Sequence, residues 1–201
     1  MDYNVALLPT EDTKQKLVDL SAAIESRVGT QLRLREDSAV PHLTVYLAGF
    51  PTANQEAIAA QLKHIADRHR SAAGLAAGWT LTRRGLIMLS CDLDDDARSL
   101  HANVVAAMNP LRRGTVACIW ERSRDDLDAA QSALLDTVGF PYALGLWRPH
   151  FTIAKIDPGL LDDLRPLLDA WADGFLCSEI GLGLVGEHGA VREVIVSYEL
   201  Q

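Results

Sequence analysis

The sequence predicts an α+β protein of two pseudo-symmetric lobes, each a small antiparallel sheet with outer helices, around a central cleft. Three observations predict it. The string Pro41-His42-Leu43-Thr44-Val45 returns in the other half of the 201 residues as Pro149-His150-Phe151-Thr152-Ile153. Both strings begin with a proline, which biases the preceding backbone toward extended geometry, and both are rich in strand formers. Around each string the order strand, helix, strand, histidine strand, helix, hairpin is repeated, as a diverged duplication would leave it.

Tyr3 to Leu8 is an apolar run ended by Pro9 and reads as a buried strand. Thr10 is placed to cap the next helix, with Glu11 and Asp12 in the first turn, where the helix dipole favours acids. Leu17, Leu20, Ile24 and Val28 give that helix its apolar face, and Gly29 is its stop. A strand at Leu32 to Leu34, a polar turn and the first histidine strand, running to about Phe50, come next. Thr52 with Gln55 forms a capping-box pattern for a helix faced by Ile58, Leu62 and Ile65. Trp79 to Leu81 and Leu86 to Leu89 read as a hairpin turning through Arg83-Arg84-Gly85. Asp94 to Asp96 lead a helix carrying Leu100, Val104 and Met108, which Pro110 ends.

In the second half, Val116 to Trp120 is expected as the opening strand. Ser123 with Asp126 resembles a capping box for a helix bearing Leu127, Leu134 and Val138. Gly139, Pro141 and a stretch through Leu146 lead to the second histidine strand. Asp157-Pro158 starts a helix with Leu161, Leu164, Leu168 and Trp171 on one face. Phe175 to Val185 and Val191 to Leu200 form the last hairpin, turning at Glu187-His188-Gly189. The halves are thus about 1–94 and 115–201, joined by a linking helix over about 95–110, within one bilobal domain, 1–201.

Composition sets the function class. Hydrophobic residues at 48% and charged residues at 23% match an ordinary globular protein. A net charge of −8 excludes a broad basic surface for coating long nucleic acid, but not a local site for a small phosphate ligand. Met1-Asp2-Tyr3-Asn4 is unlike a signal peptide and no apolar run reaches membrane-span length, so a cytoplasmic protein with no membrane partner is expected. A monomer is the expected state. Cys91, Cys118 and Cys177 are odd in number, far apart and without a CxxC pair, and each lies in an apolar run, so three buried free thiols are expected.

Side chains alternate faces along a strand, so His42 and Thr44 share one face while Leu43 and Val45 share the other, and the second copy behaves alike. Two such strands brought together make a site with two imidazoles and two hydroxyls. A bare H-x-[ST] string is weak, and His69-Arg70-Ser71 is a decoy that lacks the following apolar run. His69 reads as structural, His64 as solvated, and His101 and His188 as incidental. The duplicated frame gives His42 and His150 their weight.

The paired His-apolar-Thr-apolar strings, with Arg148-Pro149-His150-Phe151-Thr152 as the second, resemble the 2H phosphoesterase superfamily, which includes 2′-5′ RNA ligase-like proteins and cyclic phosphodiesterases. The resemblance covers most of the chain, apart from the long connection from Leu111 to Trp147. It implies metal-independent, cofactor-free chemistry at a phosphodiester, such as a 2′,3′-cyclic phosphate at an RNA end or in a small cyclic nucleotide. His42 and His150 would be general acid and base, which suits a side chain with an ordinary pKa of about 6.5. Thr44 and Thr152 would hold the phosphate oxygens. The other readings are a nucleotide- or phosphate-binding regulatory module and 2′-5′ RNA ligation. A metal hydrolase is disfavoured because neither string carries a carboxylate at ligand spacing.

Tyr46 continues the face of His42 and Thr44 and can border the cleft or stack on a base, with a core position the equal alternative. Trp147 and Arg148 just precede the second string and can contact substrate, with a surface ion pair the equal alternative for the arginine. By alternation Lys155 falls on the face opposite His150 and Thr152. The Arg83-Arg84 and Arg112-Arg113 pairs read as solvated turns or helix ends.

Overall fold

The computed structural model describes residues 1–35, 39–171 and 173–201. Most of the polar turn expected after Leu34 lies outside the described residues. Eight strands form one antiparallel sheet: β1 (Asp2–Pro9), β2 (Leu32–Arg33), β3 (Leu43–Gly49), β4 (Ala72–Leu81), β5 (Leu86–Leu93), β6 (His150–Lys155), β7 (Gly174–Val185) and β8 (Val191–Glu199). The order β1-β3-β6-β5-β4-β7 closes on itself through β1–β7 pairing, while β8 extends β7 and β2 extends β6. The expected two small sheets are therefore one barrel-like sheet. The hairpins explain the difference. The first-half hairpin, β4–β5, pairs with β6, and the second-half strand β7 pairs with β1, so strands of both halves are joined across the ring.

The helices are α1 (Glu11–Val28), α2 (Gln55–Ala66), α3 (Asp95–Met108), α4 (Cys118–Glu121), α5 (Ala129–Val138) and α6 (Arg165–Asp169). Leu17, Leu20 and Ile24 of α1, Ile58 and Leu62 of α2, and Leu100, Val104 and Met108 of α3 are all buried. They join the sheet residues Val5, Leu7, Leu43, Val45, Ile87, Leu89, Phe151 and Ile153 in one apolar core, whose removal from water stabilises the fold. Gly29 closes α1 with φ 73°, and the Asp94 carboxylate accepts the Ala97 N–H at the start of α3. The final hairpin turns at Glu187–Gly189 as expected.

Several local expectations change. Val116 to Trp120 holds the short helix α4 instead of a strand. Cys118 N–H donates to the Asp2 carboxylate, the Trp120 indole donates to Leu47 O, and the ring packs near Phe140 and Tyr142. A short apolar run fits either structure, and side-chain anchoring decides this one. Cys118 is exposed, whereas Cys91 and Cys177 are buried. Thr52 opens a 3-10 turn without capping α2, and the Gln55 side-chain carbonyl accepts the Tyr3 hydroxyl. The capping box of α5 is Asp128 with Gln131, because Ser123 is bonded to Ile119 O. Asp157 caps a 3-10 turn, Pro158–Asp163, ahead of the short α6. Strand β4 begins at Ala72, well before Trp79, in an alanine- and glycine-rich stretch with weak strand propensity.

Candidate active site

The two histidine strands are neighbours. Leu43 of β3 pairs with Phe151 of β6 in antiparallel register. One step to either side brings position 42 across from Thr152 and position 44 across from His150. Each histidine therefore stands beside the other string's threonine, on the face opposite the buried Leu43 and Phe151. On the far side of β6, Met88 pairs with Thr152 and Ser90 with His150. Thr44, Met88, Ser90, His150 and Thr152 are half-buried and His42 is 9% exposed, so this face is open where the other is sealed.

The imidazoles are held alike. His42 Nδ1 lies 2.8 Å from Val40 O and His150 Nδ1 lies 2.7 Å from Arg148 O, in each case the carbonyl two residues earlier. A carbonyl only accepts, so each Nδ1 carries hydrogen and each Nε2 is left for other chemistry. Burial lowers both proton affinities. For His42 the value falls to about 4, with His150's charge adding to the burial against the bond to Val40. For His150, burial lowers it against the bond to Arg148. A charge at one ring is thus felt at the other.

Both strings break strand alternation at the same place. Ala6 and Val5 of β1 pair with Thr44 and Tyr46, leaving Val45 as an extra residue, and Met88 and Ile87 of β5 pair with Thr152 and Ala154, leaving Ile153 as another. Such bulges shift every later side chain by one face and free a carbonyl from the ladder. Buried helix side chains take up both carbonyls: the Ser21 hydroxyl donates to Ile153 O at 2.8 Å, and His101 Nδ1 donates to Val45 O at 2.9 Å.

The bulges reassign two residues. Tyr46 is turned into the core, fully buried, with its hydroxyl donating to Val138 O and its ring packed edge-on to Phe50 and Phe140. Burial raises its pKa to about 12. Lys155, expected on the far face, pairs with Leu86, which alternates with Met88 and Ser90, and so joins the face of His150 and Thr152.

Trp147 and Arg148 are each bonded to backbone carbonyls. Trp147 is 3% exposed, stacks on His101 at 4.4 Å with its ring nearly parallel, and donates from Nε1 to Thr44 O at 2.9 Å. Arg148 is exposed and folds back onto Gly145 O and Trp147 O. His101, far from incidental, also accepts the Leu144 N–H at Nε2. It thus ties the first string to the loop that precedes the second. Burial holds it neutral, with a pKa of about 4.

Two side chains escaped the sequence reading. Asn4 is fully buried and donates from Nδ2 to Thr44 Oγ1 at 2.9 Å, which leaves that hydroxyl's own hydrogen free to point elsewhere. A polar residue inside the apolar run Tyr3 to Leu8 was its one signal. Ser90, beside His150, carries no motif at all. A cavity of about 840 Å³ is lined by Leu8, Glu179 and Ser197 and by Val40 and Pro41, which lead into His42. Among the described residues, no three His, Cys, Asp or Glu side chains gather as metal ligands, and no helix is long and apolar enough to cross a membrane.

The family model described as "Protein of unknown function (DUF1045)" matches residues 47–190, a span that holds the second histidine string and begins just after the first. No curated protein matches the sequence. Among solved structures, TT0787 of Thermus thermophilus is similar over 100% of this chain and 98% of its own, at 15% identity and a TM-score of 0.56. E. coli LigT complexed with phosphate is similar over 98% and 96%, at 11% identity and a TM-score of 0.52. Kluyveromyces marxianus Usb1 with uridine monophosphate is similar over 99% and 98%, at 15% identity and a TM-score of 0.50. These likenesses show the fold, which this chain shares with TT0787 and LigT.

Proposed function

Because the chain belongs to the DUF1045 family and has a 2H phosphoesterase fold, we propose that it is a metal-independent phosphodiesterase acting on a 2′,3′-cyclic phosphate, at an RNA end or in a small cyclic nucleotide. The observation that carries this reading is the Leu43–Phe151 pairing, which sets each histidine beside the other string's threonine. Phosphate in the LigT structure and uridine monophosphate in the Usb1 structure support the ligand class.

In-line displacement at phosphorus needs a base on the attacking water and an acid on the departing ribose oxygen, on opposite sides. Nε2 of one histidine takes the water's proton while Nε2–H of the other protonates the leaving oxygen. The bond from phosphorus to the attacking oxygen forms as the bond to the ribose oxygen breaks. Thr44 and Thr152 donate hydrogen bonds to the non-bridging oxygens, where charge grows in the transition state. Uncharged donors suit an acidic protein with no broad basic surface. Turnover of a nucleoside 2′,3′-cyclic phosphate in excess EDTA tests the proposal. Hydrolysis is expected, and no turnover of any cyclic or RNA-terminal phosphodiester would overturn it.

Asn4 directs the Thr44 hydroxyl, since an amide N–H given to Oγ1 obliges the hydroxyl to donate outward. Asn4→Leu, of similar volume, is expected to lower kcat/KM about tenfold, the loss of one well-aligned hydrogen bond. In a Thr44→Val background the same change is expected to add little. An equal further loss in that background would show that Asn4 acts on the fold alone.

A further inference from the structure

A second cluster of basic groups adjoins the histidine face. The bulge at Ile153 puts Lys155 on that face beyond Thr152, and its Nζ lies 3.4 Å from His188 Nε2 in the β7–β8 turn. His188 reaches it from a left-handed backbone conformation, φ 58°, which costs a non-glycine residue energy and is kept only where the surroundings enforce it. Lys155 has no carboxylate partner among the described residues. Burial and the Lys155 charge both lower the proton affinity of His188, against Glu187, so its Nε2 accepts from the ammonium group and leaves that cation's remaining hydrogens unused.

His188 also lines a cavity of about 450 Å³ together with Arg33, Arg35, Arg192 and Thr30. Of its two acidic neighbours, Glu25 is paired to Arg33 and Glu187 is exposed. Arg35 and Arg192 have no ion pair among the described residues. Two buried polar atoms of residues that line this cavity, Thr30 Oγ1 and Arg33 Nε, have no hydrogen-bond partner among the described residues. A buried donor without an acceptor is costly. In a chain of net charge −8, three arginines line this cavity, and Lys155 adjoins it through His188.

We propose that Lys155, held by His188, and the arginines of this cavity form a second phosphate subsite, which takes a phosphate elsewhere on the same substrate while the cyclic phosphate lies between His42 and His150. This rests on the reading of the histidine face as a phosphodiester site. Successive phosphates of a nucleotide chain are about two strand residues apart, on the order of 7 Å, which matches the step from Thr152 past the bulge to Lys155. The second phosphate belongs either to the 5′ position of a mononucleotide or to the internucleotide linkage of an RNA end.

Equilibrium binding separates these cases without requiring turnover. Titrations in EDTA would compare uridine 3′-phosphate, uridine 3′,5′-bisphosphate and the dinucleotide UpUp. The wild type is expected to bind at least one of the doubly phosphorylated ligands about tenfold more tightly than the monophosphate, through charge-assisted hydrogen bonds. Preference for the bisphosphate would identify a 5′-terminal phosphate, and preference for UpUp alone an internucleotide one. In Lys155→Met and in Arg192→Gln the ratio is expected to fall toward one, while Lys155→Arg retains it. A wild-type ratio near one, or a ratio unchanged in both Lys155→Met and Arg192→Gln, would overturn the subsite. A ratio near one with histidine-dependent turnover intact removes the subsite alone. A ratio near ten in a protein that hydrolyses no cyclic phosphate supports the subsite and removes the proposed hydrolysis alone.

Discussion

His42→Ala and His150→Ala are each expected to lower kcat for a nucleoside 2′,3′-cyclic phosphate about 10³-fold at pH 7, within the range for losing a positioned acid or base. In the proposed mechanism each removal takes away one half of a proton relay, so the double variant is expected to be little worse than either single one. Both rings stand on the face opposite Leu43 and Phe151, His42 buried and His150 half-buried, and each is tied through Nδ1 to a carbonyl two residues back. The variants should therefore keep their circular dichroism spectrum and unfold within a few degrees of wild type. Survival of turnover within tenfold in either folded variant would mean that the histidine does not transfer a proton in the reaction.

Trp147→Ala is expected to destabilise the protein by about 3–5 kcal/mol, the usual cost of emptying a large aromatic site. The ring is buried against His101, and its indole N–H holds Thr44 O. The loss is a large part of the roughly 5–15 kcal/mol that holds a typical domain together. Urea unfolding measures it, and Trp147→Phe, which keeps a stacking ring and drops the hydrogen bond, should cost nearer 1 kcal/mol. A substrate-stacking tryptophan would behave in the opposite way, with unchanged stability and a raised KM for Trp147→Ala.

The helices α1, α2 and α3 were legible because Leu17–Leu20–Ile24, Ile58–Leu62–Ile65 and Leu100–Val104–Met108 repeat at helical spacing, which only an amphipathic helix satisfies. The histidine strands were legible because the same five-residue pattern occurs twice. The course of the chain just beyond each string was not. A bulge adds one residue without any distinctive residue type, so strict alternation misplaced both Tyr46 and Lys155. Asn4 and Ser90 lie on strands far from the strings in sequence, and only the pairing of β1 with β3 and of β5 with β6 brings them to Thr44 and His150. The two-sheet expectation had the same origin. Local order gives the elements of each half, whereas the crossing of β4–β5 to β6 and of β7 to β1 is a long-range pairing that no local pattern records.

The pH dependence of kcat/KM, measured in EDTA from pH 4 to 9, tests paired acid–base catalysis most directly. The proposed mechanism needs one histidine neutral and one protonated. In the free protein, burial lowers both proton affinities, and His42 is held near a pKa of about 4. At pH 7 both rings are neutral. Lowering the pH raises the singly protonated form, and lowering it further protonates the second ring and removes the base. The pair titrates as a unit, so the expected profile is a bell with its maximum below pH 6.5, the ordinary histidine value. A rate independent of pH between 5 and 8 would contradict paired catalysis by His42 and His150.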